Sequence, residues 1–159
     1  MIVISQEYNI SELEPENLKE ALDLVWRVFL AYEAPDYNDE GIQEFKDFIG
    51  LESIRQKLLD DQFRIWVCFN KDAIVGVLAV RHPCHISLLF VDSKHHRKGI
   101  ARSLFKHMVD YYKLNHGFTE ITVNSSPYAK EAYQKLGFTD TKIEQTINGI
   151  RFTPMSFLL

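Results

Sequence analysis

A run of basic side chains lies immediately before a segment with helical periodicity: residues 94 to 98 read Lys-His-His-Arg-Lys and are followed by Gly99-Ile100-Ala101. A helix N-terminus already carries about half a positive charge and several unpaired N–H groups, so acidic residues are preferred there and basic residues are penalised. The excess of positive charge therefore predicts a bound anion. Gly99 and Ala101 are small enough for backbone N–H groups to approach a phosphate. A solvated basic turn is the alternative.

The segments on either side of this turn are predicted to be a strand and a helix. Residues Ile86 to Val91 are almost all apolar, which is typical of a strand buried on both faces. After Gly99, apolar residues recur four positions apart along two adjacent rows, which is typical of a helix that faces the core. These rows are Ile100, Leu104, Met108 and Tyr112, beside Ala101, Phe105 and Val109.

The turn resembles the pyrophosphate-binding signature of the GNAT family of N-acetyltransferases. That signature is Gln/Arg-x-x-Gly-x-Gly/Ala after a strand, and residues 96 to 101 fit it except that His96 replaces the Gln or Arg. The resemblance implies that the pyrophosphate of acetyl-CoA lies on backbone N–H groups of the turn and that the pantetheine arm follows the preceding strand. The cofactor-binding residues implied here are Leu89, Phe90, Val91, His96, Arg97, Lys98, Gly99, Ile100, Ala101 and Arg102.

A second match to the same family lies downstream. The family often shows Asn-x-x-Ala, a Tyr four residues after the Ala, and then a Gly-Phe pair. Here Ser126-Pro127-Tyr128-Ala129 is followed by Tyr133 and by Gly137-Phe138, so that Ser126 replaces the Asn. The two matches together extend the resemblance over residues 73–140. They imply that Asn124, Ser126, Ala129 and Tyr133 also contact the cofactor.

The implied reaction needs an acid and a base. An amine attacks the thioester carbonyl, so the site must accept a proton from the amine and stabilise the departing thiolate. Tyr133 occupies the family's general-acid position, and its phenol can donate a hydrogen bond to a thiolate. A core tyrosine is the alternative. The base stays open: the strand before the turn offers His85 and Ser87, and Glu33 is a further candidate.

An acidic and aromatic connection, residues 32–40, carries the candidate acceptor-binding residues. It holds Glu33, Asp36, Asp39 and Glu40 beside Tyr32 and Tyr37. In the family, the acceptor side of the cleft is commonly shaped by the first two helices and their connection. Because carboxylates and aromatic faces favour a cation, we expect Glu33, Asp36 and Tyr37 to bind a small-molecule or peptide amine with a second positive charge. A solvated loop is the alternative.

Hydrophobic periodicity predicts an α/β (α+β) fold in a single domain, residues 1–159. We expect a mixed, mostly antiparallel central sheet with helices on both faces and a C-terminal β-hairpin. The resemblance further implies that the strands before the basic turn and after the long helix splay apart. The predicted elements are a strand at 8–13, helices over 15–29, 39–49 and 54–59, strands at 63–69, 73–81, 86–91 and 120–124, and a helix over 126–137.

Asn148-Gly149 marks the C-terminal hairpin. It separates the predicted strands 139–147 and 150–158, and it favours a type I′ turn. Pro154 indicates an edge strand or a bulge. An exposed final strand would offer an edge for a possible homodimer.

Composition and charge narrow the function. The 159 residues are 46% hydrophobic and carry a formal net charge of -4, which argues against a nucleic-acid partner. No apolar run approaches the ~20 residues that span a bilayer, and residues 1–5 lack the pattern of a leader, so we expect a cytoplasmic protein with no membrane association. Cys68 and Cys84 are expected to be buried thiols, with no metal site.

Two functional classes are supported. The first is an acyltransferase that uses acetyl-CoA as cosubstrate and acts by direct transfer. The second is a non-catalytic CoA-binding sensor or interaction module of the same fold. A nucleoside triphosphatase is disfavoured, because no Gly-Lys-Ser/Thr follows Gly99 to hold a terminal phosphate.

Overall fold

The computed structural model of the protein describes residues 2–3, 7–115 and 117–159, and the expectation drawn from residues 1–5 falls largely outside them. Nine strands and five α-helices occur in the described residues. In chain order they are β1 Ile2–Val3, β2 Tyr8–Glu12, α1 Leu18–Tyr32, α2 Asp39–Phe48, α3 Leu51–Leu59, β3 Phe63–Asn70, β4 Ala73–Arg81, β5 His85–Val91, α4 Ile100–Asn115, β6 Glu120–Ser125, α5 Lys130–Leu136, β7 Thr139–Asp140, β8 Gln145–Ile147 and β9 Ile150–Leu158.

The strands form one mixed sheet in the order β1-β2-β3-β4-β5-β6-β9-β7, with β8 also paired to β9. Among the described strand pairs, only β5 and β6 run parallel. One buried cluster joins the sheet to α1–α3, and a second joins its other face to α4 and α5. The predicted mixed, mostly antiparallel sheet with helices on both faces is therefore confirmed. No helix in the described residues is long and apolar enough to cross a membrane.

The strands β5 and β6 separate almost as soon as they meet. Their parallel pairing consists of His85 with Thr122 and Ile86 with Val123. Beyond Ile86, β5 continues to Val91 with β4 as its partner, while β6 pairs with β9. The splay implied by the family resemblance is thus present, and it opens a cleft in the middle of the sheet.

A β-bulge lies at the start of this cleft. Ala79 of β4 pairs with Leu88 and Val80 pairs with Ile86, which leaves Ser87 without a partner on β4. Because of the extra residue, the side chains of Ile86 and Leu88 point to opposite faces of the sheet. Ile86 packs in the buried cluster that contains α4, whereas Leu88 packs in the cluster that contains α1. Bulges commonly redirect side chains next to active sites.

Helix α4 packs closely on the sheet through Gly76. A Cβ at Gly76 would lie 2.9 Å from Ile100 and 3.1 Å from Leu104, so only glycine admits these two side chains. Ile100, Leu104 and Met108 are buried as predicted. Each such side chain contributes about 1.5–3 kcal/mol on burial. This packing fixes the helix N-terminus against the end of β5.

The C-terminal strands differ from the prediction. The strand predicted at 139–147 is interrupted between Asp140 and Gln145, and β9 lies between β6 on one side and β7 and β8 on the other. Pro154 is therefore not on an edge; lacking an N–H, it lies where the partner of β9 changes from β7 to β8. The prediction of an exposed final strand is wrong, because β9 is paired on both sides. The possible homodimer stays a prediction. Asn148 and Gly149 have φ of 51° and 79°, which confirms the type I′ turn.

Several element ends also differ. Gly50 has φ -54° and directly precedes α3, so that α3 begins at Leu51 and not at the predicted residue 54. Helix α5 begins at Lys130, because the Ser126 side chain caps a turn that ends at Ala129 instead of the helix itself. Leu59, expected inside, is 74% exposed. Gly137 ends α5 with φ 112°, as predicted. Cys68 and Cys84 are buried and free.

The hairpin of β8 and β9 is pressed against the start of α2. Asn38 caps α2 by accepting a hydrogen bond from the Gly41 N–H at 2.9 Å. A Cβ at Gly41 would lie 2.2 Å from the carbonyl oxygen of Gly149, and a Cβ at Gly149 would lie 2.4 Å from Gly41 N. The two backbones touch because neither residue has a side chain.

We predict that Gly41→Ala destabilises the protein by about 1–3 kcal/mol, although alanine is the better helix former, because the new methyl group meets backbone. Thermal or denaturant unfolding measures the effect. Gln43→Ala, on the exposed side of the same helix, serves as the control and should cost little. An unchanged melting temperature for Gly41→Ala would contradict the contact.

Candidate active site

A cavity of about 280 Å³ opens where β5 and β6 separate. Its wall combines α1, α2, β4, β5, β6, α5 and the start of β9. Of the residues singled out in the sequence, those that line it are Glu33, Tyr37, His85, Ser87, Leu89, Phe90, Asn124, Ser126, Ala129 and Tyr133. The cavity thus unites the candidate acid, all three candidate bases and six of the fourteen expected cofactor contacts.

The rest of the acidic connection lies elsewhere. Asp36 is not part of the cavity wall; its carbonyl oxygen accepts a hydrogen bond from Arg151 Nη1 at 3.3 Å. Asp39 and Glu40 lie exposed in the first turn of α2, where negative charge complements the helix dipole. Of the residues expected to bind the acceptor, only Glu33 and Tyr37 face the cavity.

Glu33 follows the last turn of α1, and its backbone N–H donates to the carbonyl oxygen of Phe29 at 2.9 Å. Burial raises the pKa of its carboxyl to about 7; a hydrogen bond from Ser126 opposes this rise and the nearby charge of Asp36 adds to it. The Ser126 hydroxyl oxygen accepts the Ala129 N–H at 3.2 Å, and its hydrogen is left to donate to Glu33. Near neutral pH this carboxyl can both accept and return a proton.

Tyr133 is buried on the inner side of α5. Its ring packs edge to face on Phe138 with centroids 5.4 Å apart. Burial raises the pKa of its phenol well above the usual range, and the charge of Glu33 raises it further. The phenol is therefore protonated at neutral pH, and it lies close enough to Glu33 to respond to that charge.

His85 is a poor base in this setting. Its Nδ1 lies 2.8 Å from Thr122 Oγ1 on the neighbouring strand. Burial lowers the pKa of the imidazole to about 4, and the positive charge of Arg81 acts in the same direction. The ring is neutral at pH 7, and a base with so low a pKa has little driving force to take a proton from an amine.

The basic turn lies at the other end of β5. A 3₁₀ turn, Ser93–His95, is capped by Asp92, whose carboxylate accepts the Lys94 N–H at 2.9 Å and pairs with Arg27 of α1 at 2.8 Å. His96 Nε2 donates to the carbonyl oxygen of Val91 at 2.8 Å, so this side chain ties the turn back to β5.

The backbone of the turn is shaped for an anion. Arg97 and Gly99 have φ of 62° and 77°, values that an arginine rarely adopts, and no atom lies within 4 Å of a Cβ at Gly99. Ser103 N–H donates to Gly99 O at 3.0 Å, so the N–H groups of residues 100–102 are in the first turn of α4, which offers them no carbonyl.

The side-chain cations of the turn form no ion pairs with the described residues. In the part of the chain that the structure describes, no carboxylate lies within 4.0 Å of the side-chain cations of Lys94, Arg97 or Lys98. The Ile100 side chain is buried against Gly76, so this residue could contact a ligand only through its backbone. Open N–H groups, positive φ and unpaired cations together fit a pyrophosphate.

Seven further residues of the cavity wall were not predicted as site residues from the sequence. They are Glu44, Phe45, Phe48, Arg81, Ile86, Val123 and Ile150. Phe45 and Phe48 were recognisable as inward positions of α2 but not as cavity residues. Arg81 ends β4 opposite His85, a pairing that requires the strand register.

Residues 33–159 match the family described as Acetyltransferase (GNAT) domain. Over 88 residues the chain is 31% identical to YafP, an uncharacterized N-acetyltransferase of Escherichia coli K12. That match covers 55% of this chain and 53% of YafP, so the chain spans about half the length of this curated relative.

Two solved structures share the fold. PaiA N-acetyltransferase from Thermoplasma acidophilum, in complex with coenzyme A, has a TM-score of 0.80 at 16% identity over 97% of this chain and 100% of that one. Spermidine N-acetyltransferase from Vibrio cholerae, in complex with CoA and spermine, has a TM-score of 0.67 at 19% identity over 97% of this chain and 96% of that one.

We predict that Glu33 makes stability fall as pH rises. Its pKa is about 7 in the fold against an ordinary 4.5, so the folded state holds the proton more tightly and loses stability progressively between these values. The melting temperature of the parent should therefore fall between pH 5 and pH 8 by more than that of Glu33→Gln. The difference between variant and parent is then more favourable to the variant at pH 8. A difference between the two proteins that does not change with pH would contradict the raised pKa.

Proposed function

Because the chain belongs to the GNAT family of acetyltransferases, we propose that it moves an acetyl group from acetyl-CoA directly to a primary amine of a small molecule or peptide. The family makes it an acyltransferase. The observation that carries the finer proposal is the shared cavity of Glu33 and Tyr133 at the splay of β5 and β6. A non-catalytic CoA-binding module would have no need for this pair.

Glu33 is proposed as the general base. An amine must lose a proton as it attacks the thioester carbonyl, and a base is most effective when its pKa lies near the working pH. The carboxyl of Glu33 meets this condition with a pKa of about 7. Ser126 would hold it in place by a hydrogen bond.

Tyr133 is proposed as the group that stabilises the departing thiolate. Its phenol stays protonated because burial raises its pKa, so it can donate a hydrogen bond throughout the working pH range. The proton would stay largely on the phenol, since a thiol is more acidic than this buried tyrosine. Tyr133 thus lowers the energy of negative charge on sulfur where water is excluded.

The chain's residues fit a CoA molecule that extends from the basic turn to the cavity. The N–H groups of residues 100–102 and the cations of Arg97 and Lys98 would hold the pyrophosphate. The unpaired side of β5 at Leu89–Val91 would pair with the amides of the pantetheine arm, as an exposed strand edge pairs with an extended chain. Coenzyme A in the PaiA structure, whose fold this chain shares, supports this proposal.

We predict that acetyl-CoA raises the melting temperature and that Gly99→Glu abolishes the rise. A ligand that binds only the folded state stabilises it, by about 2.7 kcal/mol at one hundred times its Kd. The glutamate places a carboxylate where the pyrophosphate would lie. Gly117→Glu is a matched control, because Gly117 also has a positive φ of 63° and open space around it. Full CoA binding by a folded Gly99→Glu variant would refute this location.

We predict that Tyr133→Phe lowers kcat by about 10²-fold with the Kd for CoA nearly unchanged, because only the hydroxyl is lost.

We also predict that kcat/KM of the parent rises as Glu33 ionises near pH 7, and that Glu33→Gln removes this rise from the pH profile. Release of free thiol with a panel of amines measures both.

Tyr111→Phe removes a hydroxyl outside the cavity and controls for the substitution itself. An unaltered kcat in Tyr133→Phe would make this residue structural. A panel in which no amine is acetylated while CoA still binds would favour the non-catalytic module.

A further inference from the structure

Arg81, an exposed residue at the wall of the cavity, is not used by the proposed reaction. Arg81 is the last residue of β4 and pairs across the sheet with His85, the first residue of β5. Both side chains belong to the wall of the cavity that holds Glu33 and Tyr133. The positive charge of Arg81 reaches the imidazole, since it helps to lower the pKa of His85.

Arg81 forms no ion pair in the described part of the chain. No carboxylate there lies within 4.0 Å of the Arg81 guanidinium, whereas Arg27, Arg64 and Arg151 each pair with an acidic side chain. Glu44, on the same cavity wall, has no such partner either. When a ligand displaces water from an arginine that has no ion-pair partner, the loss of hydration raises the free energy of the charge. An anionic ligand offsets this cost, because it forms charge-assisted hydrogen bonds with the guanidinium.

A second positive charge on the acceptor would meet Arg81 as well as Glu44 on this wall. Of the acidic connection, only Glu33 and Tyr37 reach the wall, and Glu33 is needed to take the proton of the reacting amine. Arg81 would repel a polyamine. The spermine in the Vibrio cholerae structure belongs to a protein that is 19% identical, so it carries no weight for this wall.

We propose that Arg81 binds the carboxylate of the acceptor, and that the acceptor is therefore an amino acid or a close analogue. This inference rests on the proposed acetyltransferase function and adds the substrate class. The planar guanidinium can bind a carboxylate with two parallel hydrogen bonds, which fixes orientation as well as charge. The amine of the same molecule then faces Glu33 and the thioester.

The remaining wall suits an apolar side chain. Phe45, Phe48 and Ile150 line the cavity from α2 and the start of β9. The ring of Phe45 packs on Phe29 with centroids 4.0 Å apart and on Phe90 at 5.9 Å, so this surface is held in place. An amino acid with an apolar side chain would cover these rings, and its size matches a cavity of about 280 Å³.

The test compares each α-amino acid with its own amide and with spermidine as acceptors. The amide keeps the amine and the side chain but lacks the negative charge. We expect the best free amino acid to exceed its amide in kcat/KM by roughly 10- to 100-fold, the range for one charge-assisted interaction. Arg81→Gln should remove this preference by raising the KM of the acid, with the KM for acetyl-CoA unchanged. Arg81→Lys should restore part of it.

Arg55→Gln is the matched control, since Arg55 lies on α3 away from the cavity and pairs only with Glu52 among the described residues. A binding measurement complements turnover: amino acids should raise the melting temperature of the CoA-saturated parent more than they raise that of Arg81→Gln.

The outcomes separate this inference from the function on which it rests. Equal use of acids and amides, a preference for spermidine, or an undiminished preference in Arg81→Gln would overturn the role of Arg81 and leave an acetyltransferase. Failure to acetylate any amine would overturn the proposed function and this inference with it.

Discussion

The short parallel contact between β5 and β6 is the constraint on which the rest of the site depends. After His85 and Ile86 the two strands part, and each keeps a partner only on its other side. Backbone N–H and C=O groups left open in this way must find water or a ligand. A gap inside a sheet therefore offers two features. One is a cavity between side chains that a closed sheet would bring together, and the other is a strand edge beside that cavity. The bulge at Ser87 lets β5 hold its register with β4 while it turns away.

The position of Glu33 follows from contacts made far along the chain. The connection that contains it is held at one end by α1 and at the other by the hairpin, through Arg151 on the carbonyl of Asp36 and through the contact of Gly41 with Gly149. Tyr37 adds a hydrogen bond to the carbonyl oxygen of Arg151 at 3.3 Å. These ties hold the carboxyl of Glu33 in the cavity wall, where it is buried. Its raised pKa is the electrostatic consequence, because burial disfavours the ionised form.

Charge is divided between the two ends of β5. At the end that carries the turn, cations gather around a helix N-terminus, and the carboxylate of Asp92 pairs with Arg27 of α1 and accepts the Lys94 N–H. At the cavity end, Glu33 and Glu44 oppose Arg81. The first arrangement suits a multiply charged anion and the second a small molecule with charges of both signs. A long thioester that lies along β5 would connect the two.

Periodicity and turn chemistry, which act within a few residues, determined much of this protein from its sequence alone. The core-facing rows of α4, the type I′ turn at Asn148-Gly149 and the glycine that ends α5 follow from local spacing, and the basic turn was visible as misplaced charge. Tertiary structure decided the rest. The insertion of β9 between β6 and β7 joins residues distant in the chain, and no local signal shows that both its edges are paired. The bulge at Ser87 arises from the register with β4. The proposal of Glu33 rather than His85 as the base depends on the pKa of each side chain, and these pKa values follow from burial and neighbouring charges that only the folded chain brings together.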